Sequence, residues 1–312
     1  MKLAATLSFS ASLLLAGAAF AGDPPEIVAS IKPIHSLVAA IMQGVGKPDL
    51  IVEGAASPHT YSLKPSNARV LAGAKVIFWV GPGMEAFLLK PLAALGEGAM
   101  LVELDKAPGL TKLKYRAGGA FEADDDGDET GSDTADGSEV LDMHLWLDPM
   151  NAKAMAAMIT TTLSAADPSN ALAYQANQKA LDDRLEALNQ EIAKTVAPVK
   201  DKPFIVFHDA YQYFEKRYHV HVAGSITVSP ETIPGAQRVA EIHDKVEHLG
   251  ATCVFAEPQF EPKLVNVVIE GTSAKSGVLD PEAANLPEGP DLYFELMQGV
   301  AKSLKDCLSR ES

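Results

Sequence analysis

Apolar residues in this chain come in short β-branched runs, each followed by a longer stretch with helical spacing. From Glu26, EIVASIKPIHSLVAAIMQG reads as a strand, a break at Pro33, and a helix with Ile34, Leu37, Val38 and Ile41 on one face. DLIVEG is the next strand; it opens into a loop carrying His59, after which Pro65 and Ser66 start a helix that turns Val70 and Leu71 inward. KVIFWVG and MEAFLLKPLAAL continue the alternation. The second half repeats it: KPFIVFH and HVAGSITV, then ATCVFAEPQF and SGVLDPEA, are strands, each followed by a helical pattern. Alternation of this kind predicts a parallel α/β fold, with four strand–helix units in each half.

Between the halves the spacing changes. NAKAMAAMITTTLSAA is a helix, and Asp167-Pro168 opens a longer one in which Leu181, Leu185, Leu188, Ile192 and Val196 recur until Pro198 ends the pattern. Roughly thirty residues at about 1.5 Å each make a stiff rod of roughly 45 Å, long enough to cross from one lobe to the other. The expected architecture is therefore α/β, two lobes with a central, mostly parallel four-stranded sheet each, joined by one long rigid helix.

The N-terminus breaks this pattern. Lys2 precedes an apolar run, Leu3 to Ala18, and then Ala19-Phe20-Ala21, which reads as a cleavable export signal over residues 1–21. The run is shorter than the roughly 20 residues of a membrane span, and no cysteine follows it to carry a lipid anchor. An exported, soluble protein beginning at Gly22 is expected, with an N-terminal lobe over 22–166, a linker helix over 167–198 and a C-terminal lobe over 199–312. A disordered acidic loop is expected at 121–140, because Glu122 to Glu139 holds nine carboxylates, no Lys or Arg, and only two alanines. Those nine account for much of the net charge of −15, and the acidic balance excludes nucleic acid as a partner. Two cysteines, Cys253 and Cys307, either pair in an oxidising compartment or lie buried as thiols.

Candidate chemistry falls at strand ends. His59 follows one strand, His208 ends another, Asp280 ends a third, and His144 follows the acidic loop in the lobe of His59. In open parallel sheets, ligands gather at the carboxyl ends of strands. Three neutral imidazoles with one carboxylate suit Zn²⁺ and disfavour Mg²⁺ and Ca²⁺. Each residue also has an ordinary reading: His59 as a surface loop residue, His144 as a core histidine, His208 as a helix cap and Asp280 as a turn aspartate. The other histidines are weaker candidates. His35 caps its helix or faces solvent, His219 and His221 alternate on a strand, and His243 and His248 lie on a surface helix.

The segments SPHTYSLKPS, DMHLWLDP, FHDAY, SPETIPGAQR with CVFAEPQF, and VLDP occur in this order. Together they resemble the metal-binding receptors of bacterial zinc and manganese ABC importers, over nearly the whole mature chain. The resemblance implies His59, His144 and His208 as zinc ligands, with Asp280 where related receptors use a carboxylate. It implies a Cys253–Cys307 disulfide and delivery of zinc to an ABC permease in the inner membrane by a monomer without a membrane anchor. His208, where a glutamate would favour manganese, places the chain on the zinc side. Two features depart from the pattern: the acidic loop contains no histidine, and Pro58 stands where some relatives carry a glutamate, leaving Asp280 or water as fourth ligand. A manganese or broad-specificity receptor is the alternative within the class. A zinc-dependent hydrolase is the alternative outside it, although no H-E-x-x-H occurs, and an adhesin lacks its lipid-anchor cysteine.

Overall fold

A computed structural model describes residues 25–116, 140–249 and 253–309. The expected export signal and nearly all of the expected acidic loop lie outside the described residues. The first half contains β1 (Ile27–Ala29), α1 (Lys32–Ile41), β2 (Asp49–Leu50), α2 (Pro65–Gly73), β3 (Val76–Trp79), α3 (Leu89–Leu95), β4 (Met100–Glu103) and α4 (Pro149–Ala166). Helix α5 (Ala171–Val196) leads to β5 (Pro203–His208), α6 (Gln212–Tyr218), β6 (His221–Thr227), α7 (Ala236–Leu249), β7 (Cys253–Ala256), α8 (Lys263–Ile269), β8 (Lys275–Val278) and α9 (Leu292–Leu308).

The strands form two four-stranded sheets, ordered β2-β1-β3-β4 and β6-β5-β7-β8, in which every strand pairing is parallel. Both sheets therefore reverse their strand order at one place, between β1 and β3 and between β5 and β7. Such a reversal leaves a crevice at the carboxyl ends of the two strands, because the chain leaves them toward opposite faces. The strands beside each crevice, IVA, VIFW and CVFA, are buried on both faces, as covered parallel strands are.

Side chains alternate across β5 and so feed two cores. Phe204 and Val206 join a continuous core that runs through both lobes, while Ile205 and Phe207 join a smaller one with Ile242, Val246, Val265 and Val268. That continuity leaves little freedom for the lobes to part. Polar bonds reinforce it: Tyr293 N–H donates to Ser36 Oγ at 2.9 Å, and Trp146 Nε1–H donates to the Pro281 carbonyl at 2.8 Å.

Helix α5 buries Leu181, Leu185, Leu188, Ile192 and Val196, as its spacing predicts. It packs chiefly on α4, then on α9 and α1, and so touches helices of both halves. Its 26 residues are fewer than the thirty expected, about 39 Å of helix. The difference lies at its start, where Asp167 accepts bonds from Ser169 Oγ, Asn170 Nδ2 and Tyr174 Oη and stays in the turn before the helix. Cys253 and Cys307 form a disulfide that ties β7 to α9.

Candidate metal centre

The three candidate histidines arrive by different routes. Ser57 Oγ accepts the His59 backbone N–H and caps a single 3-10 turn, Pro58–Thr60, which follows β2. Tyr61 hydroxyl donates to the Ile51 carbonyl at 2.9 Å and anchors that loop back on the first sheet. His144 precedes another 3-10 turn, Leu145–Leu147, packed in the core through Leu145, Trp146 and Leu147. His208 is the last residue of β5, at the strand reversal of the second sheet.

Their Nε2 atoms converge. His144 Nε2 stands 3.2 Å from His59 Nε2 and 3.2 Å from His208 Nε2, and one ligand atom from each ring lies within 4.8 Å of the other two. A tetrahedral ion with bonds of about 2.05 Å separates its ligand nitrogens by about 3.3 Å, so the spacing fits Zn²⁺. His144 and His208 are buried and His59 is half-buried.

The far side of two rings fixes their tautomers. His144 Nδ1 lies 2.8 Å from Asp142 Oδ1, and His208 Nδ1 lies 2.8 and 2.7 Å from the two oxygens of Glu257. A ring that donates from Nδ1 to a carboxylate keeps its Nε2 lone pair free. Two such lone pairs facing each other at 3.2 Å repel, unless a proton or a metal ion lies between them. The chemistry of the donor set therefore calls for a cation at the point where the rings meet.

The electrostatics agree. Burial, with His144 and His208 nearby, pushes the His59 imidazole down to about 2, and burial with His208 nearby holds His144 well below its ordinary value. These two rings stay neutral and able to ligate. Burial opposes charge on His208 as well, but the Glu257 carboxylate, together with Asp209 and Asp142, raises that ring. Burial raises the Asp142 carboxyl to about 7, against the pull of the His144 backbone N–H and the Arg116 guanidinium.

Asp280 is placed differently. Its Oδ1 accepts from Gln259 Nε2 at 2.8 Å and from Glu282 N at 3.1 Å, and its Oδ2 accepts from Ala284 N at 2.7 Å. It is not among the atoms that meet within 4.8 Å. Strand β8 stops at Val278, short of Asp280, and the chain then turns through Ala283 at φ 57°. Two other expectations need correction. His35 neither caps α1 nor faces solvent; it is buried with Nε2 3.1 Å from the Pro48 carbonyl, since α1 is covered on nearly all sides. His219 is not on a strand but ends α6 in the left-handed conformation at φ 54°, and β6 begins two residues later. Sequence reasoning missed Asp142 and Glu257 as partners of the converging rings. Their signals were an acid two residues before His144 in DMHLWLDP, and an acid directly after a buried strand in CVFAEP.

Two α/β lobes with a buried three-imidazole pocket define a metal-binding protein of the two-lobed receptor type. A family model described as "Zinc-uptake complex component A periplasmic" matches residues 27–307, and the chain belongs to that family. It is 56% identical to the high-affinity zinc uptake system protein ZnuA of Brucella suis biovar 1 (strain 1330), over 97% of this chain and 98% of that one. It is 35% identical to the protein of the same name from Yersinia pestis, over 96% of each. A solved structure of a zinc-bound ZnuA lacking residues 138–173 superposes with a TM-score of 0.76 at 28% identity, covering 93% of this chain and 100% of that one.

Proposed function

We propose that this protein captures Zn²⁺ in the periplasm, between its two lobes, and delivers it to an ABC-type permease for high-affinity uptake. The observation that carries the reading is the meeting of three Nε2 atoms, two of them held as lone-pair donors 3.2 Å apart by buried carboxylates. Family membership and the relatives named for high-affinity zinc uptake support the cargo and the role. His59, His144 and His208 are the ligands. Asp280 or a water takes the fourth place; for Asp280 the move requires release of bonds from Gln259, Glu282 and Ala284.

The protein acts as a carrier and not as an enzyme. Asp142 and Glu257 contact the ligand rings at Nδ1, on the side away from the cargo, where a carboxylate orients a ring and does not activate water. Among the described residues no helix is long and apolar enough to cross a membrane. We infer a free monomer released by cleavage after Ala21, with lobes over 22–166 and 199–312 and a linker over 167–198.

Metal analysis and competition titration of the mature chain beside a His59→Ala variant test the reading. One tightly held zinc per chain, lost or much weakened in the variant, is expected. Equal binding by parent and variant, or displacement of zinc by manganese at comparable concentration, overturns it.

A further inference from the structure

The strand reversal in the second sheet brings together two residues 49 apart in sequence. Strand β5 pairs with β7 in the register Phe204↔Cys253 and Ile205↔Val254, and continuing it sets His208, at the end of β5, beside Glu257, just past the end of β7. Glu257 is 3% exposed and spans His208 Nδ1 with both oxygens. Asp142 is fully buried, and its Oδ1 accepts both the ring Nδ1–H and the backbone N–H of His144, at 2.8 and 3.0 Å. The cations nearby are engaged elsewhere: Arg116 binds Asp209 and Glu215, and Arg217 binds Asp148 through two bonds. Among the described residues the His59 ring has no carboxylate on its Nδ1 side.

We propose that Glu257 and Asp142 are positioning residues for zinc capture, which lock two ligand rings in the Nδ1–H form and supply the negative charge that offsets the ion. This rests on the zinc reading above. The three imidazoles bring no negative charge of their own, so a dication entering a buried pocket gains its counter-charge from beyond the ligands. A carboxylate partner on a ligating imidazole also raises the basicity of the coordinating nitrogen. The site is thereby asymmetric: His144 and His208 form a preset pair, and His59, on its own turn, completes it.

The test uses the full mature chain with Zn²⁺ alone as probe, titrated against a chromophoric chelator at neutral pH. Glu257→Gln and Asp142→Asn keep an oxygen that accepts Nδ1–H and remove only the charge; Glu257→Ala removes both. Loss of such partners costs roughly 10- to 100-fold in metal affinity. The expected result is a loss of about 10-fold for the two amide variants and nearer 100-fold for Glu257→Ala, with an unchanged melting temperature of the metal-free protein. Binding of Co²⁺ is expected to show a shifted visible absorption band in Glu257→Gln, which a purely structural role leaves in place. If Glu257→Ala does not fold, the amide variants decide. Zinc affinity within twofold of the parent in the amide variants, or a loss that only tracks a fallen melting temperature, overturns the proposal. If the parent itself binds no zinc, the function falls together with it; if His59→Ala abolishes binding while the Glu257 and Asp142 variants do not, this proposal fails alone.

Discussion

The Lys32 ammonium, at the start of α1, donates to the Ala283 carbonyl at 3.0 Å, across 251 residues of sequence and from one lobe to the other. It donates also to the carbonyls of Ala284 and Leu286, at 2.9 and 3.2 Å. These carbonyls belong to the turn that follows Asp280, and Ala283 holds that turn in a left-handed conformation that costs a residue with a side chain. One buried lysine thus fixes a loop of the C-terminal lobe from the N-terminal side.

Replacement Lys32→Met keeps the aliphatic stem and strips the donors from three carbonyls. Hydrogen bonds to charged groups contribute about 1.5–3 kcal/mol each, and the contributions are not additive at a single ammonium. The variant is expected to lose about 2–3 kcal/mol of stability. Urea unfolding of the metal-free protein reads the loss, and an unchanged midpoint refutes the latch.

Glu85 gives the molecule a pH dependence separate from its metal site. Its carboxylate accepts from Ser30 Oγ, Val80 N and Gly81 N, at the strand reversal of the first sheet, and burial pushes it up to about 7 despite those bonds. A carboxyl raised from 4.5 favours the protonated form in the fold, so its contribution is full below pH 4.5 and is lost as pH rises through 7. The loss amounts to about 3 kcal/mol at most. The difference in stability between the parent and Glu85→Gln, both metal-free, is expected to change across that window, in the direction of the parent weakening as pH rises. A difference independent of pH rules this out.

Gly277 in β8 lies against an aromatic ring. A Cβ there would stand 2.5 Å from Phe255 Cε1 and 2.6 Å from Cδ1, while Phe255 packs edge-on against Phe204 with centroids 5.6 Å apart. The ring is fully buried and has little room to yield. Gly277→Ala is expected to destabilise by about 1–3 kcal/mol, the usual cost of overpacking. A melting temperature equal to the parent's excludes the clash.

Reduction of the Cys253–Cys307 disulfide frees a loop with a sequence separation of 54 and is expected to cost about 4 kcal/mol in the chain-entropy account. Both ends are buried, so reductant acts slowly on the folded protein. Thermal unfolding of a Cys253→Ser, Cys307→Ser double variant measures the effect. Stability equal to the parent's contradicts it.

The order of strands and helices was legible along the chain, because β-branched runs and 3.6-residue spacing report which local structure buries its apolar side. The leucine spacing of α5 and the position of His208 at a strand end are direct examples. His35 was not legible in this way. Its burial depends on what packs around α1, and the pattern within the helix carries no record of that. Asp167 shortened α5 through side-chain bonds that compete with the helix, a choice made locally but visible only once Tyr174 folds back onto it.

By itself the sequence determined the element types and the two-lobed α/β plan, and it singled out His59, His144 and His208 as candidates, since each of these depends on residues near one another in the chain or on a motif that matches as it stands. Tertiary structure alone decided that His59, His144 and His208 share one point and that Glu257 backs His208. Those relations are set by which parallel strands become neighbours and by how two lobes close on a common core. Spacing along a chain fixes neither, because the free energy that selects them comes from contacts between residues 49 to 251 positions apart.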